Sequence, residues 1–209
     1  MLNGLYVITD PHLTPGDQLI PAVAAALAGG AALVQYRAKH MAATTRQTQA
    51  CALQQLCQRA GAKLIINDDV ALALAVGAAG VHLGQADASI ATARSCLGPQ
   101  AIIGASCYAD LSRAEAAWAA GANYLAFGSV YPSPTKPQAP RADPKLLGIA
   151  RGRFGLPIAA IGGITRNNAA EVRAAGADLL AVISGVFAAA DIQTASHHLS
   201  MLCSIPLPP

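Results

Sequence analysis

Short apolar runs alternate with longer stretches of helical periodicity along almost the whole chain. Runs rich in Val, Ile and Leu predict strands over Leu5–Thr9, Leu33–Tyr36, Lys63–Ile66, Gly80–Leu83, Ala101–Gly104, Tyr124–Phe127, Ile158–Ala160 and Leu179–Ile183. Between them the spacing predicts helices. The clearest are Gln18–Ala28, Thr44–Ala60, Ser89–Cys96, Leu111–Ala120, Pro144–Arg153, Asn167–Ala175 and one from Ile192 to about Leu202. Strands separated by helices imply a parallel sheet, because a parallel partner needs a crossover of that length. The pairs Gly30-Ala31, Gly61-Ala62, Gly77-Ala78, Gly121-Ala122 and Gly176-Ala177 each close a helical stretch and precede an apolar run. Glycine is what a left-handed helix C-cap requires, so the repetition points to a series of like β/α units. About eight units in 209 residues predict an α/β protein, a single-domain (β/α)8 TIM barrel over residues 1–204 with an irregular tail at 205–209. A doubly wound open sheet is the competing architecture. It is weakened by Thr9-Asp10-Pro11-His12-Leu13, which stands where a G-x-G-x-x-G turn would follow the first strand.

Composition narrows the partners. With 54% hydrophobic and 12% charged residues, the chain is not disordered. Alanine alone supplies roughly a fifth of it, as expected for helices that lay Ala-rich faces on a sheet. The net charge of +3 comes from scattered Lys and Arg, so no nucleic-acid partner is expected. Gln18 to Tyr36 carries no charge, yet Pro21, Gly29 and Gly30 divide it into a helical and a strand-like part rather than a membrane span. The segment Met1-Leu2-Asn3-Gly4 lacks the basic region and cleavage site of a signal peptide, so a cytoplasmic protein is expected. The cysteines agree: Cys51, Cys57, Cys96, Cys107 and Cys203 are odd in number, form no C-x-x-C pair and read as free thiols. The Ala-rich outer faces identify no interface, and assembly into a homo-oligomer stays open.

Polar residues gather where the predicted strands end, which is the active-site rim of such a barrel. Gln35-Tyr36-Arg37-Ala38-Lys39 follows the second strand, Asn67-Asp68-Asp69 the third and His82 to Asp87 the fourth. Gly104-Ala105-Ser106 follows the fifth, Thr135-Lys136 lies in the long loop after the sixth, and Gly162-Gly163 and Ser184-Gly185 follow the last two. Bare backbone N–H groups at Gly162-Gly163 and Ser184-Gly185 suit a phosphate, although tight turns alone would also call for glycine. Arg37 and Lys39 alternate on an extended segment and match a diphosphate; two ordinary surface cations are the plainer alternative. Asp68 and Asp87 offer hard oxygen ligands for Mg2+, with Asp69 the better candidate for capping the next helix. Together these features imply small-molecule ligands carrying phosphate, one with a diphosphate leaving group, and a Mg-assisted displacement. No G-x-S-x-G, H-E-x-x-H or Walker A pattern competes. His82 reads as a packed or hydrogen-bonded histidine, and His12, His197 and His198 as surface or mouth residues.

On these segments the chain resembles the thiamine-phosphate synthase family over nearly its whole length. The matching pieces include Leu5-Tyr6-Val7-Ile8-Thr9-Asp10, Gln35-Tyr36-Arg37-Ala38-Lys39, Asn67-Asp68-Asp69-Val70 and Gly80-Val81-His82-Leu83-Gly84-Gln85. Thr135-Lys136, Ala160-Ile161-Gly162-Gly163-Ile164 and Val182-Ile183-Ser184 complete them. The resemblance implies a (β/α)8 transferase that joins 4-amino-2-methyl-5-(diphosphooxymethyl)pyrimidine to a thiazole phosphate, carboxylated or not, releasing diphosphate. It implies that Gln35, Tyr36, Arg37, Ala38, Lys39 and Asn67 hold the pyrimidine diphosphate and that Ser106 contacts the pyrimidine. It places Mg2+ on Asp68 and Asp87, and the thiazole phosphate on Ser133, Pro134, Thr135, Lys136, Gly163, Ile183 and Ser184. Diphosphate departure is expected to precede attack, with Arg37, Lys39, Ser106 and Lys136 carrying the chemistry. The chain departs from the family pattern at Ala38 and Ala86, where an acid is frequent. Gly128-Ser129 replaces a glycine-proline pair, and Ser133 stands at a position often held by Thr. A related thiazole tautomerase would carry a histidine where Ser106 stands and would not need Arg37, Lys39, Asp68 and Asp87 as a set. A non-catalytic binder of thiamine phosphate is the remaining alternative.

Overall fold

Side chains of a strand point alternately to its two faces, so a strand buried on both faces must satisfy two different surroundings. That condition organises the molecule, seen here in a computed structural model that describes residues 2–133 and 141–205. Among the described residues the strands are β1 (Gly4–Ile8), β2 (Ala31–Tyr36), β3 (Lys63–Asn67), β4 (Gly80–Leu83), β5 (Ile102–Tyr108), β6 (Tyr124–Gly128), β7 (Ile158–Ile161) and β8 (Leu179–Val182). Each pairs in parallel with the next in chain order, and β8 pairs with β1, so the sheet closes into a barrel. The helices are α1 (Leu19–Ala28), α2 (Ala43–Arg59), α3 (Val70–Val76), α4 (Ile90–Leu97), α5 (Leu111–Ala119), α6 (Lys145–Phe154), α7 (Ala169–Ala174), α8 (Ser184–Phe187) and α9 (Ile192–Cys203). The expected (β/α)8 barrel is therefore the observed fold.

One parity of the strands faces the helices: Leu5, Val7, Val34, Leu64, Val81 and Ile103 pack there, all buried. The helices answer with small residues, burying Ala22 and Ala26 in α1, Ala50 in α2, Ala93 in α4 and Ala114 in α5. This accounts for the alanine content, since short side chains let helix backbones approach the sheet. The other parity fills the barrel with Tyr6, Ile8, Leu33, Ile65, Tyr124 and Leu179. Inward positions on β6 to β8 are small, with Ala126, Ala159 and Ala181. Bulky residues on one side and alanines on the other leave space inside the upper barrel.

The Gly-Ala pairs end helices as expected, each glycine having a positive φ. Gly77 shows the geometry: it caps α3 at φ 64, and the following Ala78 N–H reaches back to the Ala73 carbonyl at 3.0 Å. Side chains cap the starts of four helices. Asp69 accepts from Leu72 N at α3, Ser89 from Thr92 N at α4, Asp110 from Ser112 N at α5 and Asp191 from Thr194 N at α9. Gln18 to Tyr36 divides into α1 and β2, and no described helix is long and apolar enough to cross a membrane. All five cysteines are free, with Cys51 exposed and Cys57 buried on the same helix.

Two expectations need adjusting. β5 runs on to Tyr108 instead of stopping near Gly104, so Ser106 lies in the strand, next to a register shift against β6. The helix α3 was not among the clear ones, because Val70–Val76 is apolar throughout and shows no amphipathic period.

Candidate active site

A cavity of about 350 Å³ opens at the carboxyl ends of the strands. On one side it is lined by Gln35, Arg37, Asn67 and Ser106, and on the other by Ser133, Gly163, Ile183 and Ser184. Strand parity explains the first group. Gln35 and Asn67 stand at inward positions, and Arg37 extends β2 by one further inward step. Thr9 fixes that extension, its Oγ1 accepting from Arg37 N at 2.9 Å.

Asn67 also borders a second recess of about 80 Å³, lined by Tyr36, Ala38, Lys39 and Asp68 among others. Arg37 and Lys39 thus open into adjoining hollows rather than into one. Tyr36 sends its hydroxyl away from the main cavity to donate to Gln49 Oε1 on α2 at 2.7 Å. Burial pushes that phenol up to about 12.

Asp68 follows β3 with φ 64, a left-handed backbone that aspartate tolerates better than most residues. Its N–H continues the sheet by donating to the His82 carbonyl at 2.9 Å. Its carboxylate meets Lys39 Nζ at 2.8 Å and lies within hydrogen-bonding reach of Asp87. Burial alone would raise Asp68, but the hydrogen bonds from Lys39 and Asp87 hold it below the ordinary carboxylate range. Asp87 is pushed above that range by burial and by the neighbouring Asp68. Gly84 N–H donates to Asp87 Oδ2 at 2.6 Å and fixes its orientation. Asp69 is occupied elsewhere, capping α3 and pairing with Arg46 at 2.9 Å.

Across the cavity, the loop after β6 lies against the turn after β7. Val130 N–H donates to Ile161 O and Tyr131 N–H to Gly162 O, both at 3.0 Å. Gly163 has φ +61, and a Cβ there would stand 2.8 Å from Tyr131 Cβ and closer still to the Pro132 carbonyl. Close backbone approach is thus sufficient reason for glycine, independent of any anion.

The floor was not foreseen. Gln35 Nε2 donates to Tyr6 Oη at 2.6 Å, and the hydroxyls of Tyr6 and Tyr124 are 2.8 Å apart. Tyr124 Oη is 2.9 Å from His82 Nδ1, and His82 Nε2 is 2.9 Å from Ser106 Oγ. His82 is hydrogen-bonded, as expected, but as one link of a chain. The signal available in the sequence was the inward parity of Tyr6 and Tyr124, whose hydroxyls need partners inside a barrel. Among the expected site residues, Pro134, Thr135 and Lys136 lie outside the described residues, as does the tail beyond Ile205.

A closed parallel barrel with a cavity at the carboxyl ends of its strands has the plan of a barrel enzyme. A family model described as thiamine monophosphate synthase matches residues 5–186. The chain belongs to that family. It is 54% identical over 195 residues to a thiamine-phosphate synthase of Nitrosococcus oceani, covering 93% of this chain and 90% of that protein. A thiamine-phosphate synthase of Marinobacter nauticus is 57% identical over 184 residues, 88% of this chain and 82% of that one. A solved thiamine phosphate pyrophosphorylase from Pyrococcus furiosus superposes with a TM-score of 0.87 at 38% identity, covering 96% of this chain and 95% of that chain.

Proposed function

We propose that this protein is a transferase that joins an aminopyrimidine methyl diphosphate to a thiazole phosphate, giving thiamine phosphate and diphosphate. The observation that carries the reading is the Asp68–Asp87–Lys39 cluster beside a cavity whose far wall is a glycine-rich turn. Membership of the family supports the same activity.

The acid pair fits Mg2+. Two carboxylates crowd together so closely that one is held above its ordinary range, a surplus of hard oxygen and negative charge that a divalent cation relieves. When bound, Mg2+ supplies a Lewis acid that offsets charge on the departing diphosphate. Arg37 and Lys39 hold the diphosphate, and together with Lys136 they offset the negative charge that grows on it as its bond to the pyrimidine methylene lengthens. Gln35, Asn67 and Ser106 keep the pyrimidine still. Gly163, Ile183, Ser184 and the Ser133–Lys136 segment hold the thiazole phosphate so that its ring nitrogen faces the electron-poor methylene carbon. This orientation and the exclusion of water direct capture to the thiazole. A ring nitrogen has no proton to lose on alkylation, so no general base is required.

The test is an assay for thiamine phosphate from the two substrates, with and without Mg2+. Diphosphate release should need both substrates and the metal. Turnover should fall at least about a hundredfold in Asp87→Ala and in Lys136→Ala, the scale seen when one charge-stabilising group is removed. Wild-type turnover in both variants would overturn the assignment. Tight product binding without turnover at millimolar Mg2+ would point to a binding protein.

A further inference from the structure

The chain Gln35–Tyr6–Tyr124–His82–Ser106 crosses the barrel interior through β2, β1, β6, β4 and β5. Both of its ends line the cavity, as do Tyr6 and His82. Its links measure 2.6, 2.8, 2.9 and 2.9 Å. Burial pushes the Tyr6 and Tyr124 phenols up, so each keeps one O–H to give. That proton count makes the chain directional. With Gln35 Nε2–H given to Tyr6, the Tyr6 proton goes to Tyr124 and the Tyr124 proton to His82 Nδ1. A neutral imidazole then carries its proton on Nε2 and gives it to Ser106. At the two ends, Gln35 Oε1 is left to accept and the Ser106 hydroxyl is left to donate.

Resting on the aminopyrimidine reading above, we propose that Tyr6, Tyr124 and His82 are positioning residues. They couple the two ends of the pocket so that a base must donate at Gln35 and accept at Ser106. A 4-amino group and N1, the ring nitrogen across the ring from it, meet that demand. A 4-oxo analogue carries its ring proton on N3, so it accepts both at its oxygen and at N1. Turning the Gln35 amide over to greet it reverses every link, and Ser106 must then give its proton to His82 and face the ring nitrogen with a lone pair. A lone glutamine can rotate its amide freely; this one cannot do so without altering Ser106 at the far end of the chain. The chain therefore works by penalising the wrong base as much as by holding the right one.

The experiment compares the full-length wild type with Tyr124→Phe and Tyr6→Phe, which keep the ring and remove a link. Each is offered the 4-amino pyrimidine diphosphate and its 4-oxo counterpart with saturating thiazole phosphate and Mg2+. The ratio of kcat/KM for amino over oxo should fall about tenfold or more in each variant, while KM for the thiazole phosphate moves less than about twofold. Independently of activity, nitrogen-15 NMR of the wild type should show His82 as the neutral tautomer protonated at Nε2. Unchanged discrimination in folded variants overturns the coupling and leaves the synthase reading standing, as does an Nδ1-protonated His82. A wild type that turns over neither pyrimidine overturns the synthase reading, and the tautomer still decides the direction of the chain.

Discussion

Gly163→Ala separates two reasons for a glycine at the rim. At φ +61, an alanine costs about 1 kcal/mol from its backbone conformation alone. The new Cβ would also sit 2.8 Å from Tyr131 Cβ, with the Pro132 carbonyl nearer. These atoms belong to the base of a side chain and to the backbone, so the Tyr131–Ser133 loop itself must move. Overpacking of that kind adds about 1–3 kcal/mol, for a total of about 2–4 kcal/mol. Gly155→Ala is the internal control, because its φ is +63 and nothing lies within 4 Å; it should lose only about 1 kcal/mol. Thermal melts give the stabilities, and steady-state kinetics with each substrate varied in turn give the rest. Ser133 rides on the displaced loop, so KM for the thiazole phosphate should rise about tenfold or more in Gly163→Ala alone. KM for the pyrimidine diphosphate should hold. Equal melting points for the two variants, or an unmoved thiazole KM, would refute the steric argument.

Burial holds the Cys57 and Cys107 thiols up to about 12 and Cys203 up to about 11, whereas Cys51 and Cys96 are exposed. A maleimide at neutral pH should therefore label two thiols in the folded protein and five after denaturation; rapid native labelling of a third would contradict the burial. Arg173 gives hydrogen bonds to Asn3 Oδ1 and to the carbonyls of Ala177, Asp178, Cys203 and Ile205, tying both ends of the described chain to the barrel floor. Arg173→Met should destabilise the fold by about 3 kcal/mol and leave both KM values unchanged, as read by melting and by kinetics.

The barrel was legible because its information is local. Apolar runs, Gly-Ala stops and alanine faces each act within a dozen residues, and every expected strand overlaps an observed one. Boundaries slipped where the local pattern was silent. β5 continues through Ser106 and Cys107, which carry no strong strand preference but point respectively at His82 and into the buried outer layer. The four residues of α8 are too few for any period to register. The rim residues were legible for a different reason: in a chain so poor in charge, Arg37, Lys39, Asp68 and Asp87 stand out. The tyrosine chain was not. Tyr6 and Tyr124 are 118 positions apart, and inside apolar strands a tyrosine looks like packing until the sheet is closed. Helix-capping rules favoured Asp69 over Asp68 as the cap of α3, and Asp69 does cap it.

The seam between β1 and β8 joins the opening of the chain to a strand about 175 residues later, with Gly4 beside Leu179 and Val7 beside Val182. During synthesis, then, the first strand waits for its last neighbour. Until that neighbour emerges from the ribosome, the first strand keeps an open edge and the interior stays accessible to water, an arrangement prone to sticking and to proteolysis. Messages cut short before the eighth strand should yield debris for quality control and no weakly active fragments.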